Sequence, residues 1–130
     1  MSTAVLHAVP SSPHAGRIEF GHTRRSQGGW AGTATIDFDG ETWATDLDMS
    51  GPYVADMVGF FEEIARPDWS GATRWQSEFQ ELAIEAAAAD GLVELAVSVW
   101  WSAADELDNE LIGRDEMTQF AARLREVTHL

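Results

Sequence analysis

The side chains of this sequence best equipped for chemistry are its carboxylates, 22 aspartates and glutamates set against eight arginines and no lysine. Asp37, Asp46 and Asp48 fall on one face of a hairpin expected around Asp39-Gly40. Oxygen ligands so placed are what a hard cation such as Ca²⁺ or Mg²⁺ requires. No calcium-loop spacing accompanies them, and a solvated strand face accounts for the same pattern. Glu81, Glu85 and Glu94 form a second acidic set. Paired carboxylates do acid/base work when an apolar pocket raises the pKa of one of them, and the sequence shows no such pocket.

The other candidate groups do not assemble into a reaction centre. His7, His14, His22 and His129 lie in or near the termini with no i, i+4 pairing, so they spell neither a zinc motif nor a triad. Gly28-Gly29-Trp30-Ala31-Gly32 lacks the strand-turn-helix context of a dinucleotide fingerprint. With no cysteine, thiol nucleophiles, disulfides and Cys-based zinc sites are excluded. The residues therefore point away from catalysis and call for no cofactor or metal.

The elements that must carry these residues come from hydrophobic periodicity and turn signals. Asp39-Gly40 predicts a type I′ hairpin in which Phe38 faces Glu41, Ile36 faces Trp43 and Ala34 faces Thr45. Leu47 and Met49 continue the core face, while Asp37, Asp46 and Asp48 point outward. Gly51-Pro52 then opens a helix through Tyr53, Met57, Phe60, Phe61 and Ile64, closed by Pro67.

Residues 75–89 carry two signals. Trp75, Phe79, Leu82, Ala83 and Ala86 fit a helix, and the alanine run favours one. Asp90-Gly91 repeats the hairpin signal, pairing Ala88 with Val93, Ala86 with Leu95, Ile84 with Val97 and Leu82 with Val99. The opposite face then gathers Glu81, Glu85, Glu94 and Trp100. Because both arms partition cleanly, the hairpin is the reading adopted. A short strand over 106–112 and a helix through Met117, Phe120, Ala121, Leu124 and Val127 complete the chain. Residues 1–15, with Pro10, Ser11, Ser12 and Pro13, read as a mobile tail or irregular lead-in to a single domain over 16–130.

The expected fold is thus α+β, an antiparallel sheet of five to six strands with two helices on one face, in the order strands, helix, strands, helix. Both halves carry an Asp-Gly turn upstream of a helix, and Met57, Phe60 and Ile64 match Met117, Phe120 and Leu124 in spacing. Any two amphipathic helices share that spacing, so it is weak ground for a duplication.

The segment from Trp69 through Gly71 to Trp75, followed by Leu82-Ala83-Ile84-Glu85-Ala86, Asp90-Gly91 and Val93-Glu94-Leu95-Ala96-Val97, resembles a family of small uncharacterised bacterial α+β domains of unknown function. That family has a W-x-G-x-x-x-W element before a β-hairpin and a terminal helix. The chain departs from it in lacking a Gly-His pair before Val93. The resemblance supports the hairpin and implies no activity.

A formal net charge of −14 repels phosphate backbones and anionic lipid, so direct nucleic-acid and membrane binding are not expected. The opening residues form no secretory signal and no run of apolar residues is long enough to span a bilayer, which predicts a cytoplasmic protein. The charge suits a partner with a basic surface, though it also serves solubility alone. The leading expectation is a non-catalytic, acidic protein-binding module, such as an immunity or inhibitor protein. It would dock through Glu81, Glu85, Glu94 and Trp100, with Asp37, Asp46 and Asp48 adding charge, and would be a monomer at low salt. The alternative is a small-molecule binder or enzyme with a pocket between sheet and helices lined by Trp43, Trp75, Phe60 and Phe61.

Overall fold

Two Asp-Gly turns organise much of the chain. In the computed structural model, which describes residues 3–12, 16–26, 29–38, 40–99 and 106–128, the first hairpin pairs Phe38 with Glu41 and runs without a slip to Gly29 and Ser50. The second pairs Ala89 with Leu92 and runs to Leu82 and Val99. Asp90 and Gly91 take φ values of 38° and 82°, both positive as a type I′ turn needs. The alanine run is therefore strand despite its helix propensity, because Leu82, Ile84 and Ala86 alternate into the core.

The element order is β1 (Thr3–His7), β2 (Arg17–Ser26), β3 (Gly29–Phe38), β4 (Glu41–Ser50), α1 (Gly51–Ile64), β5 (Ala72–Gln76), β6 (Leu82–Ala89), β7 (Leu92–Val99), β8 (Glu106–Gly113) and α2 (Arg114–Thr128). The class is α+β, but the strands form two four-stranded antiparallel sheets, β1-β2-β3-β4 and β5-β6-β7-β8, where one sheet of five to six strands was expected. Two elements account for the difference. Thr3–His7 is an edge strand with Ala4 and Leu6 fully buried, so this part of the expected lead-in belongs to the core. Ala72–Gln76 is the edge strand β5, paired with β6 rather than with β4. Five residues hold too few alternations to declare a strand in sequence.

Each four-strand unit passes directly into its helix, at Ser50/Gly51 and at Gly113/Arg114. The Asp-Gly turns are not equivalent between the units, since one joins β3 to β4 and the other β6 to β7. Met57 lies six residues after the first residue of α1 and Met117 three after that of α2 (57 − 51 and 117 − 114), so the shared spacing falls at different places in the two helices.

Both helices bury one face in a common core with the inner faces of the two sheets. On α1 the buried stripe is Val54, Met57, Val58, Phe60, Phe61 and Ile64, while Tyr53, expected within it, is 41% exposed. Phe61 sits at the centre, its ring 5.1 Å from Phe60, 4.9 Å from Phe120 of α2 and 6.1 Å from Phe20 of β2. Outside the core, Arg125 of α2 grips Glu62 of α1 through two bonds of 2.6 and 2.7 Å. That guanidinium holds the Glu62 carboxyl below its ordinary value. Asp115 and Glu116 in the first turn of α2 and Arg125 in its last complement the helix dipole.

The sheets are also stitched at one seam. Val9 N–H donates to Leu111 C=O at 2.8 Å and Leu111 N–H donates to Ser12 Oγ at 3.0 Å, which covers the free edge of β8. Glu110, inward on β8 and only 4% exposed, accepts from the Ser12 hydroxyl and, at 2.7 Å, from the Gly16 amide. No helix among the described residues is long and apolar enough to cross a membrane.

Candidate functional site

Strand parity puts the first acidic set on the outer face of the first sheet, where Asp37 opposes Thr42, Asp46 opposes Thr33 and Asp48 opposes Ala31. These carboxylates serve the sheet itself. Asp37 accepts from the Thr42 hydroxyl at 2.6 Å and from Arg17 at 2.8 Å, and these two, the hydroxyl foremost, hold its carboxyl below the usual range. Asp46 takes the Thr33 hydroxyl at 3.3 Å. Among the described residues no group of three or more His, Asp or Glu is arranged to hold a metal ion.

The second set divides. Glu85 and Glu94 lie on the outer face of the second sheet, opposite Ala96 and Ala87. Glu81 lies instead in the turn before β6, where the Ser77 hydroxyl donates to it at 2.6 Å while Ser77 Oγ accepts the Leu82 amide. Its role there is to fix the turn. Trp100 lies outside the described residues.

Around Glu85 and Glu94 the sheet surface dips into a shallow depression of about 350 Å³. Its floor is alanine, from Ala72, Ala87 and Ala96, and its rim is Glu85, Glu94 and Arg74. Arg74 Nε is 3.7 Å from Glu85 with both side chains more than half exposed, a pair worth little in water. Among the described residues Glu94 makes no ion pair or hydrogen bond. A floor without side chains beyond Cβ lets another surface approach the sheet closely, and the unpaired carboxylate offers a cation its counter-charge.

Beyond β5 a second open groove of about 480 Å³ runs between that strand and α1. Tyr53, Asp56, Gly59, Phe60 and Glu63 form its helix wall, and Thr73–Gln76 its strand wall. A methyl group built on Gly59 would meet nothing within 4 Å. A mid-helix glycine weakens a helix, and here no internal packing explains it. Gly59→Ala is accordingly expected to raise stability by about 0.5–1 kcal/mol, seen as a higher urea midpoint at unchanged slope. An unchanged or lower midpoint would show that the helix does not have this open face.

The aromatic residues proposed to line an interior pocket are dispersed. Phe60 and Trp75 reach the groove, but Phe61 is at the centre of the core. The cavity enclosed between the sheets at Leu6, Ile18, Leu95 and Val97 is only about 10 Å³, room for one water at most.

Sequence reasoning passed over Glu110, Gly59 and the β5 edge. Glu110 and Gly59 each left a signal, the first by sharing strand parity with the apolar Ile112 and the second by standing in the middle of an amphipathic helix. No family model, no curated protein and no solved structure matches the chain.

Proposed function

We propose that this protein is a non-catalytic, acidic protein-binding module, in the manner of an immunity or inhibitor protein, that docks a partner with a basic surface on the outer face of its second sheet. The observation that carries this reading is the alanine-floored depression rimmed by Glu85 and the unpaired Glu94. A net charge of −14 adds a long-range field that draws a cationic partner towards it.

The test is comparative capture from the native host, with the wild-type protein and the double variant Glu85→Lys/Glu94→Lys as baits. A basic protein retained by the wild type and lost by the variant is the expected result. Identical captured sets would place the docking surface elsewhere, and a captured partner with an acidic surface would contradict the reading outright.

A further inference from the structure

The two edges of the second sheet are treated differently. That of β8 is closed by Val9 and Ser12. That of β5 is open, and the register says which groups it offers. Gly71 C=O accepts from Ala88 N–H at 2.9 Å. With Ala72 opposite Ala87 and Gln76 opposite Ala83, Thr73 and Trp75 then spend their backbone bonds on β6. The N–H and C=O groups of Ala72, Arg74 and Gln76 are directed off the sheet, and none has a partner among the described residues. An exposed row of this kind is a template for another strand, which proteins normally blunt. On the edge strand β4, Glu41, Asp46 and Asp48 do so with charge. On β5 one arginine stands alone.

The groove beside this edge has features that internal packing leaves unexplained. Gly59 opens its middle at a cost in helix stability. The indole N–H of Trp75, in the strand wall, is buried without an acceptor among the described residues. The carboxylates of Asp56 and Glu63, exposed on either side of Gly59, make no ion pair or hydrogen bond among the described residues. Seven residues apart on a helix, these carboxylates stand about 10 Å from each other along its axis, within reach of two long basic side chains four residues, about 13 Å, apart on one face of an extended chain.

We propose that the groove between α1 and β5 binds an extended basic segment of a partner protein, which adds to β5 as a fifth strand of the second sheet. This rests on reading the protein as an acidic protein-binding module and gives the same partner a second contact, at the β5 edge that borders the outer-face depression. Main-chain bonds to Ala72, Arg74 and Gln76 supply affinity, and alternate side chains, turned towards α1, supply specificity. The middle one lies over Gly59 against Phe60 and Trp75 and is apolar. Its neighbours two positions away reach Asp56 and Glu63 and are basic.

The probe that matches this pattern is the capped peptide Thr-Arg-Thr-Val-Thr-Arg-Thr, with Thr-Glu-Thr-Val-Thr-Glu-Thr as charge control, titrated into the isotope-labelled full chain and followed by amide NMR. The arginine peptide is expected to shift the amides of Ala72, Arg74 and Gln76, slow their hydrogen exchange, and bind about tenfold more tightly than the control. Arg74→Pro removes an outward N–H without touching the bonds of Thr73 and Trp75 to β6, and Gly59→Gln fills the groove from the helix side. Each should weaken the arginine peptide about tenfold or more. No binding at millimolar peptide, or unchanged binding by both variants, would overturn the proposal. Shifts confined to Ala87, Glu94 and Ala96 would overturn it while leaving the acidic module intact, whereas equal affinity for the two peptides would count against the acidic reading as well. A wild-type dimer that Arg74→Pro converts to monomer would assign the edge to a second copy of this chain and equally overturn it.

Discussion

Phe61→Ala is expected to destabilise the protein by about 3–5 kcal/mol, the range for deleting a buried phenylalanine from a packed core. That is a large part of the roughly 5–15 kcal/mol by which domains of ordinary size are stable. The reason lies in where the ring sits, fully buried and packed by Phe20 of the first sheet, Phe60 of its own helix and Phe120 of the second helix. Since these residues come from both halves of the chain, the loss should be felt by the whole molecule. Urea unfolding followed by tryptophan fluorescence and by circular dichroism should show one transition, displaced to lower urea at both probes. Two separated transitions would mean that the ββββα units fold on cores of their own.

Leu6→Ala is the second large effect, expected at about 2–5 kcal/mol. A leucine in a mobile tail would cost no more than about 0.5 kcal/mol, so the measurement separates the two accounts of the first residues cleanly. Leu6 faces Ile18 across β1 and β2, and Arg123 of α2 holds the strand by donating to Thr3 C=O at 3.0 Å. Deletion of residues 1–7 should be at least as harmful, since it also removes Ala4 and opens the edge of β2. A truncated protein as stable as the full chain would contradict the placement of β1.

What could be read from sequence, and what could not, follows from the range of the interactions. The two hairpins were legible to the residue because an Asp-Gly turn fixes register locally, and every pair expected on either side of the turns is present. The helices were legible from their apolar stripes, although Tyr53 and Val54 show that a stripe misplaced by one residue exchanges an exposed side chain for a buried one. The number of sheets was not legible, because whether β5 pairs with β4 or β6 is decided across α1. Strand parity placed Glu85 and Glu94 correctly on one face but not Glu81, since the turn built on Ser77 and Gln80, with φ of 64° at Gln80, takes Glu81 out of the strand. The groove was invisible for a further reason. It belongs to neither α1 nor β5 alone but to the space between them.

The Glu78 carboxylate illustrates the same point on a smaller scale. Ser50 immediately before α1 looks like a helix cap, yet its hydroxyl does not cap the helix. Its amide and hydroxyl both donate to Glu78 at 2.8 Å, joining the end of β4 to the turn after β5. The amide foremost, with the hydroxyl, holds that carboxyl below its ordinary value.

The proposal that the acidic outer face of the second sheet steers and docks a basic protein can be put to the association rate of the captured partner, measured as a function of ionic strength for the wild type and for Glu85→Lys/Glu94→Lys. Electrostatic steering predicts a wild-type rate that falls steeply with added salt, and a variant rate about tenfold lower at low salt with a much flatter dependence. Equal rates with equal salt slopes would contradict the claim.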